Sequence, residues 1–164
     1  MSMSSADQLA DRLQQTCDAF AEYLATLTPE QWSAQCGNHP TIRVGDEDEG
    51  RRVGTVAHHV AVALPRQVRF LKAIIDGGEI PRPSNAFNAE HARANPDPDR
   101  AETISLLRLN SSEAAALVRG LSDEELVRTG QTFAGEMSAA QAIERVLIGH
   151  VDWHEESIRA SLGM

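Results

Sequence analysis

The stretch Val146-Leu147-Ile148-Gly149-His150-Val151-Asp152-Trp153-His154-Glu155-Glu156-Ser157-Ile158 constrains this chain more than any other. Wound as a helix at about 100° per residue, it sets Ile143, Val146, Leu147, Val151, Ile158 and Leu162 on one stripe, with His150 and His154 in the middle of it. Both imidazoles are therefore expected to face the core. Four residues apart, they stack about 5–6 Å apart at the β-carbons, a spacing from which two rings converge on one metal ion. Without a metal, four ring nitrogens would need partners in an aliphatic interior, at about 1–3 kcal/mol for each one left unsatisfied. A third ligand has to come from elsewhere.

The rest of the chain is patterned for helices. Only 4% of residues are aromatic, so aliphatic side chains and alanine must fill the core. Ser5-Ala6-Asp7-Gln8 reads as a capping box opening a first helix, in which Leu9, Leu13, Cys17, Phe20, Leu24 and Leu27 recur every three or four residues. Thr28-Pro29-Glu30-Gln31-Trp32 predicts a short further turn of helix. A second helix is expected from Val53 to Ile75, with Pro65 kinking or breaking it because proline lacks an amide donor. Pro81, Pro83 and the segment from Asn85 to His91 read as a crossover with one helical turn around Ala89. Asp97 with Pro98 predicts the start of a third helix carrying Ile104, Leu107, Ser111, Ala114, Val118 and Leu121 on its apolar side. Ser122-Asp123-Glu124-Glu125 is another capping box, and Ser138-Ala139-Ala140-Gln141 opens a fourth helix ending beside Gly163. The sum is an all-α four-helix bundle with a long crossover between the second and third helices, one domain over residues 1–164.

Within that bundle His59 is the better candidate for the third ligand. His58 and His59 differ by about 100° in direction, so they cannot both face inward, and His59 lies at the edge of the apolar stripe between Val56 and Ala63. A weak internal repeat supports the choice. Leu27-Thr28-Pro29 and Leu121-Ser122-Asp123 each close a long helix ahead of a loop and a histidine-bearing helix, at comparable distances from His59 and His154. Between Ser33 and Arg52 the pattern lapses, and Gly37, Pro40, Gly45 and the run Asp46-Glu47-Asp48-Glu49 read as an exposed loop, either covering a site or simply solvated. The run lacks the ligand spacing of an EF-hand.

A net charge of −9 without a dense basic patch argues against nucleic acid as a partner. No apolar run reaches the ~18 residues of a membrane span, and the start has no signal-peptide pattern, so a cytoplasmic protein without a disulfide between Cys17 and Cys36 is expected. Asn88 and His91 in the crossover are weak pocket candidates. His39 is a loop histidine of the same kind as His91, Cys36 could approach the metal from the long loop, Cys17 reads as core packing, and Trp153 reads as a packing or dimer residue. Glu155 and Asp152 point away from the stripe's centre and make poor general bases.

These residues carry a family resemblance. Val53-Gly54-Thr55-Val56-Ala57-His58-His59-Val60-Ala61, with His150-Val151-Asp152-Trp153-His154 and Ile158, resembles the histidine-bearing second and fourth helices of the DinB-like (YfiT-type) superfamily. The resemblance implies a four-helix bundle with a long crossover and a metal site of His59, His150 and His154. It also implies a thiol-cofactor-dependent transferase or isomerase, or a hydrolase, acting on a small electrophile. The chain departs from many relatives in having Glu155, Glu156 and Ser157 where they carry arginine, glycine and glutamine. Three imidazoles leave a divalent ion positions for water, a low-molecular-weight thiol or substrate; zinc or nickel suits them best, with iron an alternative. The other readings are a non-catalytic metal or small-ligand binding protein, and a homodimeric helical interaction module in which the histidines merely pack.

Overall fold

The structure, a computed structural model, describes residues 2–37 and 51–164. Four long helical runs form the bundle: α1 (Ser5–Thr26), α3 (Val53–Asp76), α5 (Arg100–Arg119) and a last run in which α7 (Ala139–Ala142), a π-turn (Ile143–Ile148) and α8 (Gly149–Ser161) follow without a break. Short α2 (Pro29–Trp32) and α6 (Asp123–Leu126) follow α1 and α5, and α4 (Asn85–Ala94) lies in the crossover. The apolar stripes meet as expected. Leu13, Phe20 and Leu24 of α1, Leu64 and Leu71 of α3, Leu107 of α5, and Leu147 and Ile158 of the last run are all fully buried. Expected loop residues 38–50, with His39 and the acidic run Asp46-Glu47-Asp48-Glu49, lie outside the described residues.

The stem of that loop is pinned at both ends. Gln35 pairs antiparallel with Arg52, the Cys36 amide donates to the Arg51 carbonyl at 2.7 Å and the Val53 amide to Ala34 at 2.8 Å. Gly54 then passes flat against the Trp32 indole, where an added Cβ would sit 2.5 Å from the ring. The indole N–H is satisfied by the Pro98 carbonyl at 2.9 Å.

Several boundaries differ from expectation, each for a local reason. The first cap is Ser4 rather than Ser5, because Asp7 then stands at the third helical position, where its carboxylate accepts from both the Ser4 amide and hydroxyl. A carboxylate suits the positive end of a helix better than the Gln8 carboxamide would. The third long helix is capped by Asp99, not Asp97: the Asp97 carboxylate pairs with Arg52 at 3.7 Å, and Asp99 accepts from the Glu102 amide at 2.9 Å. The crossover holds a ten-residue helix, α4, capped by Ser84, where a single turn was expected. A hairpin of β1 (Thr129–Thr132) and β2 (Gly135–Ser138), with Thr132 opposite Gly135, was not expected at all. Its strands are short and polar and lack the alternation that marks a half-buried strand.

Two further differences set the site. Helix α3 runs unbroken through Pro65. Proline takes away the donor that would serve the carbonyl of Ala61, and the Asn110 side-chain amide from α5 supplies one at 2.8 Å. The last run widens at Ile143–Ile148, where the Gly149 amide bonds back to Glu144, five residues earlier. A π-turn spends one residue more than an α-turn, so Ile148 joins Leu147 in the core while Val146 is only half-buried. Gly149 fits this turn, since a Cβ there would press to 3.3 Å of the Glu144 carbonyl.

Candidate metal centre

His59 rises from α3, and His150 and His154 from the first two turns of α8, directly after the π-turn. The Nε2 atom of His150 lies 3.1 Å from that of His59 and 3.2 Å from that of His154. One ligand atom from each of the three lies within 4.8 Å of the others, and the rings are tilted or edge-on to one another. His59 is buried, whereas His150 and His154 are half-buried rather than enclosed in the core as the ideal stripe predicts. They stand where the core opens into a cavity of about 620 Å³.

The three nitrogens fit a divalent ion by their chemistry. Burial disfavours the charged form of each ring, pushing His150 down to about 4 and His59 and His154 well below the ordinary histidine value. The Arg51 guanidinium adds to the depression of all three. Neutral imidazole is the form that ligates a metal, so at neutral pH the site is held in its binding-competent state. The Nδ1 atoms of His59 and His150 are buried and have no hydrogen-bond partner among the described residues. With no carboxylate in the trio and Arg51 close by, an ion here would sit in a positive field that favours an anion in its remaining positions.

Among the other candidates, Asn88 lines the cavity wall, but His91 does not. His91 is buried behind the trio, its Nε2 2.8 Å from Nδ1 of His58 and its ring 5.7 Å from that of His59. His58, set aside in the sequence because it turns from the α3 stripe, thus faces α4. Trp153 lines the cavity with 44% of its surface exposed, so it is a wall residue rather than packing. Cys36 is buried against Ser157 and Ser161, 3.8 and 3.7 Å away, and Cys17 lies in the core. Glu155 is held by Arg159, which also stacks on Tyr23. Ser157 donates to the Gly37 carbonyl and the Gly37 amide donates to Ser161, so Ser157, one of the three departures noted in the sequence, helps pin the loop stem to α8.

The arginines of the cavity were missed. Arg66 stands seven residues after His59, two turns on along the same face of α3, and that spacing was the available signal.

No family model and no curated protein matches this sequence. Among solved structures, the chain is similar to YfiT from Bacillus subtilis, a probable metal-dependent hydrolase with an unusual four-helix bundle topology. The two share 19% identity with a TM-score of 0.68, over 99% of this chain and 91% of that one. The resemblance to DinB-like bundles read from the sequence therefore holds for the fold, including the long crossover between α3 and α5.

Proposed function

We propose that this protein is a metal-dependent hydrolase of small molecules, with His59, His150 and His154 holding one divalent ion, zinc or nickel best suiting three imidazoles. The observation that carries this reading is the meeting of three neutral imidazole nitrogens, each ligand atom within 4.8 Å of the others, at the mouth of a small-molecule-sized cavity. The fold shared with YfiT supports it. A bound ion of this kind supplies an acidified water at neutral pH and polarises a substrate carbonyl.

The chain's own residues do the rest. His59, His150 and His154 come from two helices packed into one core, so their positions are set before any ligand arrives. Phe70, Val146 and Trp153 give the cavity apolar walls that exclude bulk water from a bound substrate. None of the described residues lining the cavity is a carboxylate, so no Asp or Glu is assigned as general base. Arg51 stabilises a negative nucleophile, and a low-molecular-weight thiolate would benefit equally, which keeps thiol transfer as the second reading.

Stripping the protein with a chelator and restoring it with zinc or nickel tests the proposal against a panel of small esters, amides and epoxides, with and without added thiol. Hydrolysis is expected to disappear on stripping and to return with about one equivalent of metal per chain, as a single three-ligand site requires. Turnover that survives full removal of the metal would overturn it, and turnover only with thiol would select the transferase reading.

A further inference from the structure

Six of the residues lining the cavity are arginines: Arg51, Arg52, Arg66, Arg82, Arg93 and Arg145. None of the described lining residues is Asp or Glu, although acids outnumber bases 24 to 15 in the chain and its net charge is −9. The described lining thus carries the opposite sign to the chain's net charge. The arginines come from separate elements: the loop stem and start of α3, the middle of α3, the crossover, α4 and the π-turn. No single helix face produces the cluster by its own periodicity.

Arg51, Arg52 and Arg66 are engaged. Arg52 pairs with Asp97 at 3.7 Å, and the Arg66 guanidinium stacks 3.5 Å from the centre of the Phe87 ring. Arg82, Arg93 and Arg145 are exposed and have no carboxylate partner among the described residues. Between the charges the wall is apolar, with Phe70, Phe133, Val146 and Trp153. A concave, low-dielectric wall focuses the field of such charges into the cavity. Guanidinium is weakly hydrated and presents paired donors that match the two oxygens of a carboxylate or phosphate.

We infer that the ligand of this cavity is a small molecule with an oxyanion group on an apolar body, its oxyanion bound by Arg82, Arg93 and Arg145 and its body lying against Phe133 and Trp153. As a statement about substrate this rests on the metal-enzyme reading; as a statement about binding it does not need the metal. Carboxylate and phosphate share the required chemistry, and a concave site of about 620 Å³ on an acidic protein takes a small anion rather than a nucleic acid.

The test uses three ligands with one body and different head groups: naphthoate, naphthyl phosphate and the neutral naphthamide. Their affinities are measured by calorimetry on the full chain, both zinc-loaded and metal-stripped. At least one anion is expected to bind about tenfold tighter than naphthamide in both forms, as charge-assisted hydrogen bonds imply. Which anion binds tighter identifies the head group. Combining Arg82→Gln, Arg93→Gln and Arg145→Gln should abolish that preference and leave naphthamide affinity unchanged. Arg108→Gln, which removes an exposed charge outside the cavity, should alter neither. Naphthamide binding as tightly as both anions, or an equal loss in Arg108→Gln, would overturn the inference. Anion preference in a chain that takes up no zinc would support it while sinking the metal reading; stoichiometric zinc without the preference would do the reverse.

Discussion

Replacing His154 with alanine is expected to lower affinity for zinc or nickel by well over 100-fold, since disturbing even an outer partner of a metal ligand costs about 10–100-fold. Hydrolytic turnover should fall to background with it. The fold should survive, because His154 is half-buried at the cavity and the large core side chains lie elsewhere. In the metal-free state the variant should lose less stability than the parent as pH falls below about 6.5, since the substitution removes a ring whose burial and neighbours oppose its charged form. His58→Ala is the informative contrast: its ring bonds His91 and takes no part in the trio, so metal affinity should be kept. Metal titration against a competing chelator, with circular dichroism for the fold, separates these outcomes. Parent-like affinity in His154→Ala would remove that residue from the site.

Acid is expected to be the second large lever. His59, His150, His154, His91 and His58 are all pushed below the ordinary histidine value, chiefly by burial, with His150 and His91 at about 4. The unfolded chain then binds more protons than the folded one between its ordinary histidine value and about pH 4. The stability these neutral rings contribute is therefore complete above about pH 6.5 and is lost as pH falls toward 4. Each of the buried rings, His59 and His91, contributes at most about 1.4 kcal/mol per pH unit in that window, and half-buried His58, His150 and His154 less, because solvent screens them. Melting temperatures of the metal-free chain should fall steeply from pH 6.5 to 4. Zinc should raise the whole curve, with little change of slope until the ligands themselves protonate. A flat profile across this window would mean that the rings are charged or exposed.

The long helices were legible because their signals are redundant. In α1, the recurrence of Leu9, Leu13, Cys17, Phe20 and Leu24 agrees with the capping residues at its start, and all five are buried. The same holds for the trio: an H-x-x-x-H pair on an apolar stripe and one edge histidine on α3 already name the rings that the fold brings together. What escaped depended on contacts across the chain. Pro65 breaks nothing because Asn110, far away in sequence, satisfies Ala61. The π-turn departs from the 3.6-residue period on which stripe arguments rest, so it half-exposes His150, His154 and Val146 beside the cavity without a warning in the pattern. The arginines of the cavity sit on several elements and become a group only once the crossover is folded back.

The central claim is that three imidazole nitrogens share one ion, and X-ray absorption at the zinc edge of the stoichiometrically loaded protein reads it directly. The account predicts three nitrogen neighbours with imidazole scattering at about 2.0–2.1 Å, plus oxygen donors from solvent. That signature should disappear in His59→Ala. A sulfur shell at about 2.3 Å, or a spectrum unchanged by the substitution, would contradict it.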